Sequence, residues 1–147
     1  MTDKLSVSQK FFTILLPFCG GYFLSYLFRS TNAVIAPHLV DEFNTNAQQL
    51  GILTSSYLFA FAVFQIPLGI LLDKYGARKV QIFLMIFAGL GSLMFCYGNS
   101  ILELTIARAI IGFGVAGCLM STFKIITVWY KKNNWPILYG LCLSSGG

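Results

Sequence analysis

Runs of about 20 apolar residues, separated by short islands that hold most of the charge, dominate this sequence. A helix rises about 1.5 Å per residue, so each run is long enough to cross roughly 30 Å of hydrocarbon. Membrane strands need about half that length, which argues against a barrel. Composition agrees, since 56% of the residues are apolar and 10% charged, too little polar surface for a soluble globule. The expected fold class is an all-α integral membrane protein, a helical bundle.

Taken in order, residues 1–10 form a polar leader with Lys4 and Lys10 against Asp3. Complete spans are expected at about 11–37, 50–72, 80–97 and 101–129. A fifth run, 136–147, would rise only about 18 Å as a helix and is an incomplete crossing. The first run is too long for a cleaved signal and lacks a small-residue cleavage site, so it is expected to stay as a helix. Cys19, Cys96, Cys118 and Cys142 lie within apolar runs with no C-x-x-C pair, and read as small hydrophobes.

The net charge is +5, and its placement says more than its size. The leader, the 74–79 island and Lys131-Lys132 are basic, whereas Asp41-Glu42 and the 99–103 island are acidic or neutral. Lys and Arg hold their loops in the cytoplasm. The expectation is a multi-pass protein of the cell membrane with a cytoplasmic amino terminus, the lipid bilayer as partner and no nucleic-acid partner. His38 is the sole histidine, and no nucleophile–base pair, metal-ligand cluster or G-x-x-x-x-G-K-[ST] phosphate loop occurs. No enzyme activity, catalytic residue, metal or cofactor is expected.

The island from Gly69 to Lys79 reads G-x-x-x-D-K-x-G-x-R-K. Asp73 would sit at a helix carboxyl end, and Arg78 and Lys79 at a helix amino end. The helix dipole opposes both placements, so compensation is needed, in part from Asp73 pairing with Lys74, Arg78 or Lys79. An ordinary topology-setting loop would explain the cations but neither Asp73 nor Gly69 and Gly76.

These residues resemble the major facilitator superfamily of secondary transporters, whose signature between the second and third helices is G-x-x-x-D-[RK]-x-G-x-[RK]-[RK]. Gly69, Asp73, Lys74, Gly76, Arg78 and Lys79 match every defining position. Pro37, the Gln65-Ile66-Pro67-Leu68-Gly69 run, and Arg108 followed by Gly112 also fall where members carry similar residues. The resemblance implies a bundle of this superfamily's type, twelve helices in two halves. This chain would be part of the amino-terminal six-helix bundle, inactive without the missing carboxyl-terminal half. It implies secondary transport of a small-molecule substrate by alternating access, with Asp73 and Arg78 in a cytoplasmic gate against the second half. For Arg108 and Gly112 it implies a part in energy coupling, with a proton as candidate coupling ion. A small structural or helper membrane subunit is the alternative, and it would need no gate loop.

Cations inside the spans are the remaining signals, because an ionisable group in hydrocarbon is costly and is kept facing a cavity or a partner. Arg29 lies well inside the first span, and Ser25, Tyr26, Asn32, Ala33 and Ala36 share its face by three-and-four spacing. Two readings stand equal: the guanidinium binds an anionic substrate group, or it forms a buried pair with a carboxylate in the missing half. The stretch from Tyr26 to Asn32, with Pro37 beyond, resembles the first helix of organic-anion and organophosphate transporters of the same superfamily. That resemblance implies a substrate-binding role for Arg29, beside Tyr26 and Asn32.

Arg108, about seven residues inside the fourth span, either snorkels to the outer interface or faces inward. Lys124 is expected to lift its ammonium to the interface marked by Trp129 and Tyr130. Gln65 shares a side of the second helix with Thr54, Tyr57 and Phe61, where it either lines a substrate path or bonds a neighbouring helix. Gly114 and Gly117 share a face and are expected to permit close helix packing. Pro67 is expected to bend the second span.

Overall fold

The computed structural model describes residues 16–130 and 132–144. Six α-helices follow one another: α1 (Leu16–Phe43), α2 (Ala47–Tyr75), α3 (Ala77–Tyr97), α4 (Ile101–Val115), α5 (Gly117–Trp129) and α6 (Trp135–Ser144), with a 3-10 turn at Lys132–Asn134 before the last. There is no strand among the described residues. The leader, the Phe11 start of the expected first span, Lys131 and residues 145–147 lie outside the described residues.

Among the described residues three segments are long and apolar enough to cross a membrane: α2, α3, and α4 with α5 taken together from Ile101 to Trp129. The expected fourth span is therefore one crossing with a break at Ala116, whose N–H bonds back to the Phe113 carbonyl at 3.3 Å. α1 has the length, at 28 residues, but its described part holds Arg29, Ser30, Thr31 and Asn32 and is less apolar.

The helices overrun the apolar runs because their ends are capped by polar residues. At α2, the Asn46 side chain accepts from the Gln49 N–H at 2.9 Å while Gln49 Oε1 accepts from the Asn46 N–H at 3.0 Å, a reciprocal capping box. At α4, Ser100 Oγ accepts from the Glu103 N–H, and the Glu103 carboxylate accepts from the Asn99 N–H at 2.9 Å. Its negative charge there complements the helix dipole. Pro37 lies inside α1, which continues to Phe43. A membrane helix tolerates proline where neighbouring groups satisfy the carbonyl it frees.

α4 is the post around which the other helices stand, packed against α3 on one side and α2 on the other. Of the α4–α5 crossing 61% is buried, against 17% of α2 and 28% of α3, so the latter two turn most of their surface outward. Phe59 and Ile66 on α2 are 72% and 82% exposed, which suits contact with lipid chains.

Glycines set the approach distances. A Cβ on Gly112 would run into the Tyr57 carbonyl of α2, and one on Gly114 into the Ala88 and Leu84 backbone of α3. Gly117 meets the Leu84 side chain, so Gly114 and Gly117 both serve the α3 seam. Around these seams the core gathers: Leu68, Leu72, Val80, Leu84 and Ile125 toward the Gly76 end, Tyr57, Ala88, Ile111 and Val115 midway, and Leu39, Leu53 and Leu104 at the far end.

Two cysteines depart from the reading of all four as small hydrophobes. Cys19 on α1 and Cys142 on α6 are paired as a disulfide, with Cα atoms 5.3 Å apart, while Cys96 and Cys118 are free thiols. Spacing along the chain gave no sign of this, because the pair depends on α6 folding back beside the start of α1.

Adding a side chain at a helix seam should cost about 1–3 kcal/mol through overpacking. Gly112→Leu and Gly114→Leu should each lower the thermal midpoint of the detergent-solubilised protein. Gly20→Ala should leave it unchanged, because a Cβ there meets nothing within 4 Å.

Candidate functional site

At one end of the bundle a single residue, Gly76, joins α2 to α3 with φ +84 and ψ 148. A side chain is strained in that region of backbone space, so glycine is required there. The Gly76 N–H closes α2 on the Leu72 carbonyl at 3.1 Å, and its carbonyl accepts from the Val80 N–H at 3.3 Å to open α3. The elbow leaves Gly69, Asp73, Lys74, Gly76, Arg78 and Lys79 all exposed at the same end of the bundle.

Asp73 does not pair with Lys74, Arg78 or Lys79 as expected; its Oδ1 accepts from Lys124 Nζ at 2.5 Å, across 51 residues. Lys74 lies over the neighbouring Tyr75 ring at 5.3 Å, and Arg78 and Lys79 stand beyond the elbow on the first turn of α3. Lys124 therefore has a carboxylate partner rather than a solitary place at the interface. Its side chain is 41% exposed and that of Asp73 70%, so the pair contributes only about 0.2–1 kcal/mol. It fixes the α5 end against the α2 end more than it stabilises the fold.

Beside this turn a cleft of about 1510 Å³ opens between α1, α3 and α5, lined by Gly21, Leu24, Gln81, Met85, Lys124 and Trp129 among others. Gln81 is 8% exposed, and its Oε1 is buried without a hydrogen-bond partner.

A second group lies midway along the bundle. Arg29 is exposed on α1, and its guanidinium makes no ion pair or hydrogen bond among the described residues. Tyr26, one turn earlier, is 45% exposed; the Asn32 side chain lies outside what the structure describes. Gln65 stands apart from Arg29. Its Nε2 donates to the Ala116 carbonyl at 3.3 Å, at the break between α4 and α5, and its Oε1 is left without a partner.

Arg108 faces inward rather than snorkelling to the far interface. It is 2% exposed, its Nη1 donates to the Phe28 carbonyl at 3.1 Å, and its guanidinium carbon sits 4.6 Å from the centre of the Phe95 ring. Nε is buried with no partner. The cause lies one turn on, where Gly112 lets α4 close on Tyr57 and leaves its face of the post no water to reach.

Sequence reasoning gave Tyr57 no role of its own. It is 6% exposed, its hydroxyl lies against the Ser25 side chain, and it is within electrostatic reach of both Arg29 and Arg108. Three-and-four spacing put Ser25 on the Arg29 face, but nothing along the chain places Tyr57 opposite it.

Residues 18–147 match the pattern of the Major Facilitator Superfamily. The chain belongs to that superfamily. It is 31% identical over 116 residues to a probable sulfoacetate transporter, SauU, of Cupriavidus necator, covering 79% of this chain and 27% of the relative. It is 29% identical over 139 residues to a hexuronate transporter of Bacillus subtilis, covering 95% of this chain and 31% of that protein. Over 106 residues it is 35% identical to vacuolar basic amino acid transporter 1 of Saccharomyces cerevisiae, covering 72% of this chain and 19% of the relative. The chain thus spans less than a third of the length of these curated relatives. No solved structure matches it. Family and relatives alike are those of membrane transporters rather than enzymes.

Within this superfamily member, a double-mutant cycle on Asp73→Asn and Lys124→Gln should give a coupling energy of about 0.2–1 kcal/mol that shrinks as salt is raised. Gly76→Ala should cost more, about 1–3 kcal/mol, because it strains the elbow itself. Both are read from unfolding of the purified protein in detergent.

Proposed function

We propose that this chain is the amino-terminal part of a secondary carrier that moves a small organic anion across the cell membrane by alternating access. The observation that carries the reading is Arg29: a permanent cation on the middle of α1, exposed, with no carboxylate to neutralise it among the described residues. A guanidinium offers a planar donor fork suited to a carboxylate or a related acid. Family alone does not set the sign of the solute, since two relatives are named for sulfoacetate and hexuronate and another for basic amino acids. A path for cations would be expected to present a carboxylate, and this one presents arginine. Tyr26 and Asn32, placed near Arg29 on α1, are its proposed companions. Gln65 joins them only if the break at Ala116 opens to the path.

The exposed turn fits a gate. Arg78 and Lys79 crowd the amino end of α3, where the dipole already repels cations, and the open surface at Gly69 leaves the adjoining face of α2 free. In the proposed carrier a carboxyl-terminal half closes on this end, with Asp73 and Arg78 engaging it and Lys74, Gly76 and Lys79 shaping the turn. The basic charge of the turn favours a cytoplasmic position for it and, with it, for the amino terminus. Drive comes from an ion gradient, a proton gradient foremost. The coupling role attached to the Arg108–Gly112 pair rests on Arg108, because Gly112 is accounted for by packing.

Uptake of anionic solutes into vesicles carrying the complete transporter tests the reading. Arg29→Gln should lower anion uptake by about tenfold or more, the loss of a charged hydrogen bond, and Arg29→Lys should keep part of it. Unchanged anion uptake in Arg29→Gln would overturn it. In a background without other reactive thiols, Lys79→Cys should be modified by an impermeant reagent from the cytoplasmic side alone.

A further inference from the structure

Two arginines meet at one turn of α1. Arg29 belongs to that turn, and Arg108 reaches it from α4 through its bond to the carbonyl of Phe28, the residue next to Arg29. No described carboxylate neutralises either. Asp73 is held by Lys124, Glu103 caps Asn99 at the start of α4, and Asp41 and Glu42 are exposed near the far end of α1, about 18 Å along the helix from Arg29.

Like charges close together in an apolar bundle repel, and a buried cation with one neutral acceptor and a ring face is only partly compensated. The buried Nε of Arg108, free of any partner, is the kind of vacancy that folded proteins rarely leave. Tyr57 and Ser25 add hydroxyls beside the two cations.

We propose that this turn is a paired-cation site for a small organic dianion, with one acidic group on Arg29 and the other on the buried, unpartnered Nε edge of Arg108. The proposal rests on the anionic-solute reading of Arg29 and narrows it to solutes with two acidic groups a few bonds apart. A single carbonyl bond ties Arg108 to α1, and an entering carboxylate or sulfonate replaces that neutral acceptor with a charged and stronger one. α1 leans on α5 more than on α4, so the seam that must ease is the less extensive of the two.

The test compares succinate with succinamate, which has the same skeleton and one acidic group fewer, near neutral pH and in chloride-free buffer. Binding to the full protein in lipid nanodiscs is read by equilibrium dialysis. Succinate should bind about tenfold to a hundredfold more tightly, the worth of one further charged hydrogen bond. Arg108→Gln should bring that ratio toward one, whereas Lys132→Gln, an exposed change remote from the turn, should preserve it. If Arg108→Gln does not fold, Arg108→Lys keeps the charge without the fork and should give an intermediate ratio.

A ratio near one in the unaltered protein, with binding still dependent on Arg29, overturns the paired site and leaves the anionic reading standing. So does a ratio that Arg108→Gln leaves intact while both affinities fall together, the mark of a merely structural residue. Binding of neither acid, or binding indifferent to Arg29→Gln, removes the anionic reading and this site with it.

Discussion

How closely α4 can approach its neighbours decides the rest of this bundle. In hydrocarbon no hydrophobic force draws helices together, so association depends on van der Waals contact and on the few hydrogen bonds that cross between helices. Gly112 and Gly114 supply the contact, one toward the backbone of α2 and the other toward that of α3. Two positions apart, they point to different sides of the helix, and α4 can therefore hold two partners at backbone distance. The crossing bonds stand on the same scaffold: Ser56 Oγ donates to the Thr105 carbonyl at 3.1 Å between α2 and α4, and Thr122 Oγ1 to the Phe18 carbonyl at 3.3 Å between α5 and α1.

Close approach also determines where the charges lie. Arg108 sits one turn before Gly112 and is drawn into the seam that this glycine permits, away from the interface its depth alone would let it reach. Gln65 meets the break at Ala116, where its side chain from α2 donates to the backbone carbonyl. In both cases the polar group follows from the backbone geometry of α4.

What was legible along the chain was what depends on one helix at a time. Apolar run length gave α2, α3 and the α4–α5 crossing, and the Gly-Asp-Gly-basic pattern gave the elbow, because a left-handed φ at Gly76 is a local requirement. Partners across the bundle were not legible. Asp73 stands beside three cations in sequence, yet it takes Lys124 because α5 returns to the end where α2 stops. Helical periodicity placed Arg29 with Ser25 on one face but carried no information on Tyr57 across the gap, nor on which way Arg108 would turn.

The two charged groups differ in how readily they can rearrange. The Asp73–Lys124 pair is half in solvent, so breaking it exposes two ions to water and costs little. Arg108 has no such outlet, since leaving its one carbonyl without an anionic replacement would strand a guanidinium in an apolar seam. In the proposed carrier this division would place a weak pair at the end that opens and a costly, unneutralised charge at the middle. The weak pair would leave both conformations within reach of thermal motion, while the buried charge would favour whichever conformation brings it an anion. A solute's charge would in that way become a difference in free energy between two conformations, which is the only lever a bound ligand has on such an equilibrium.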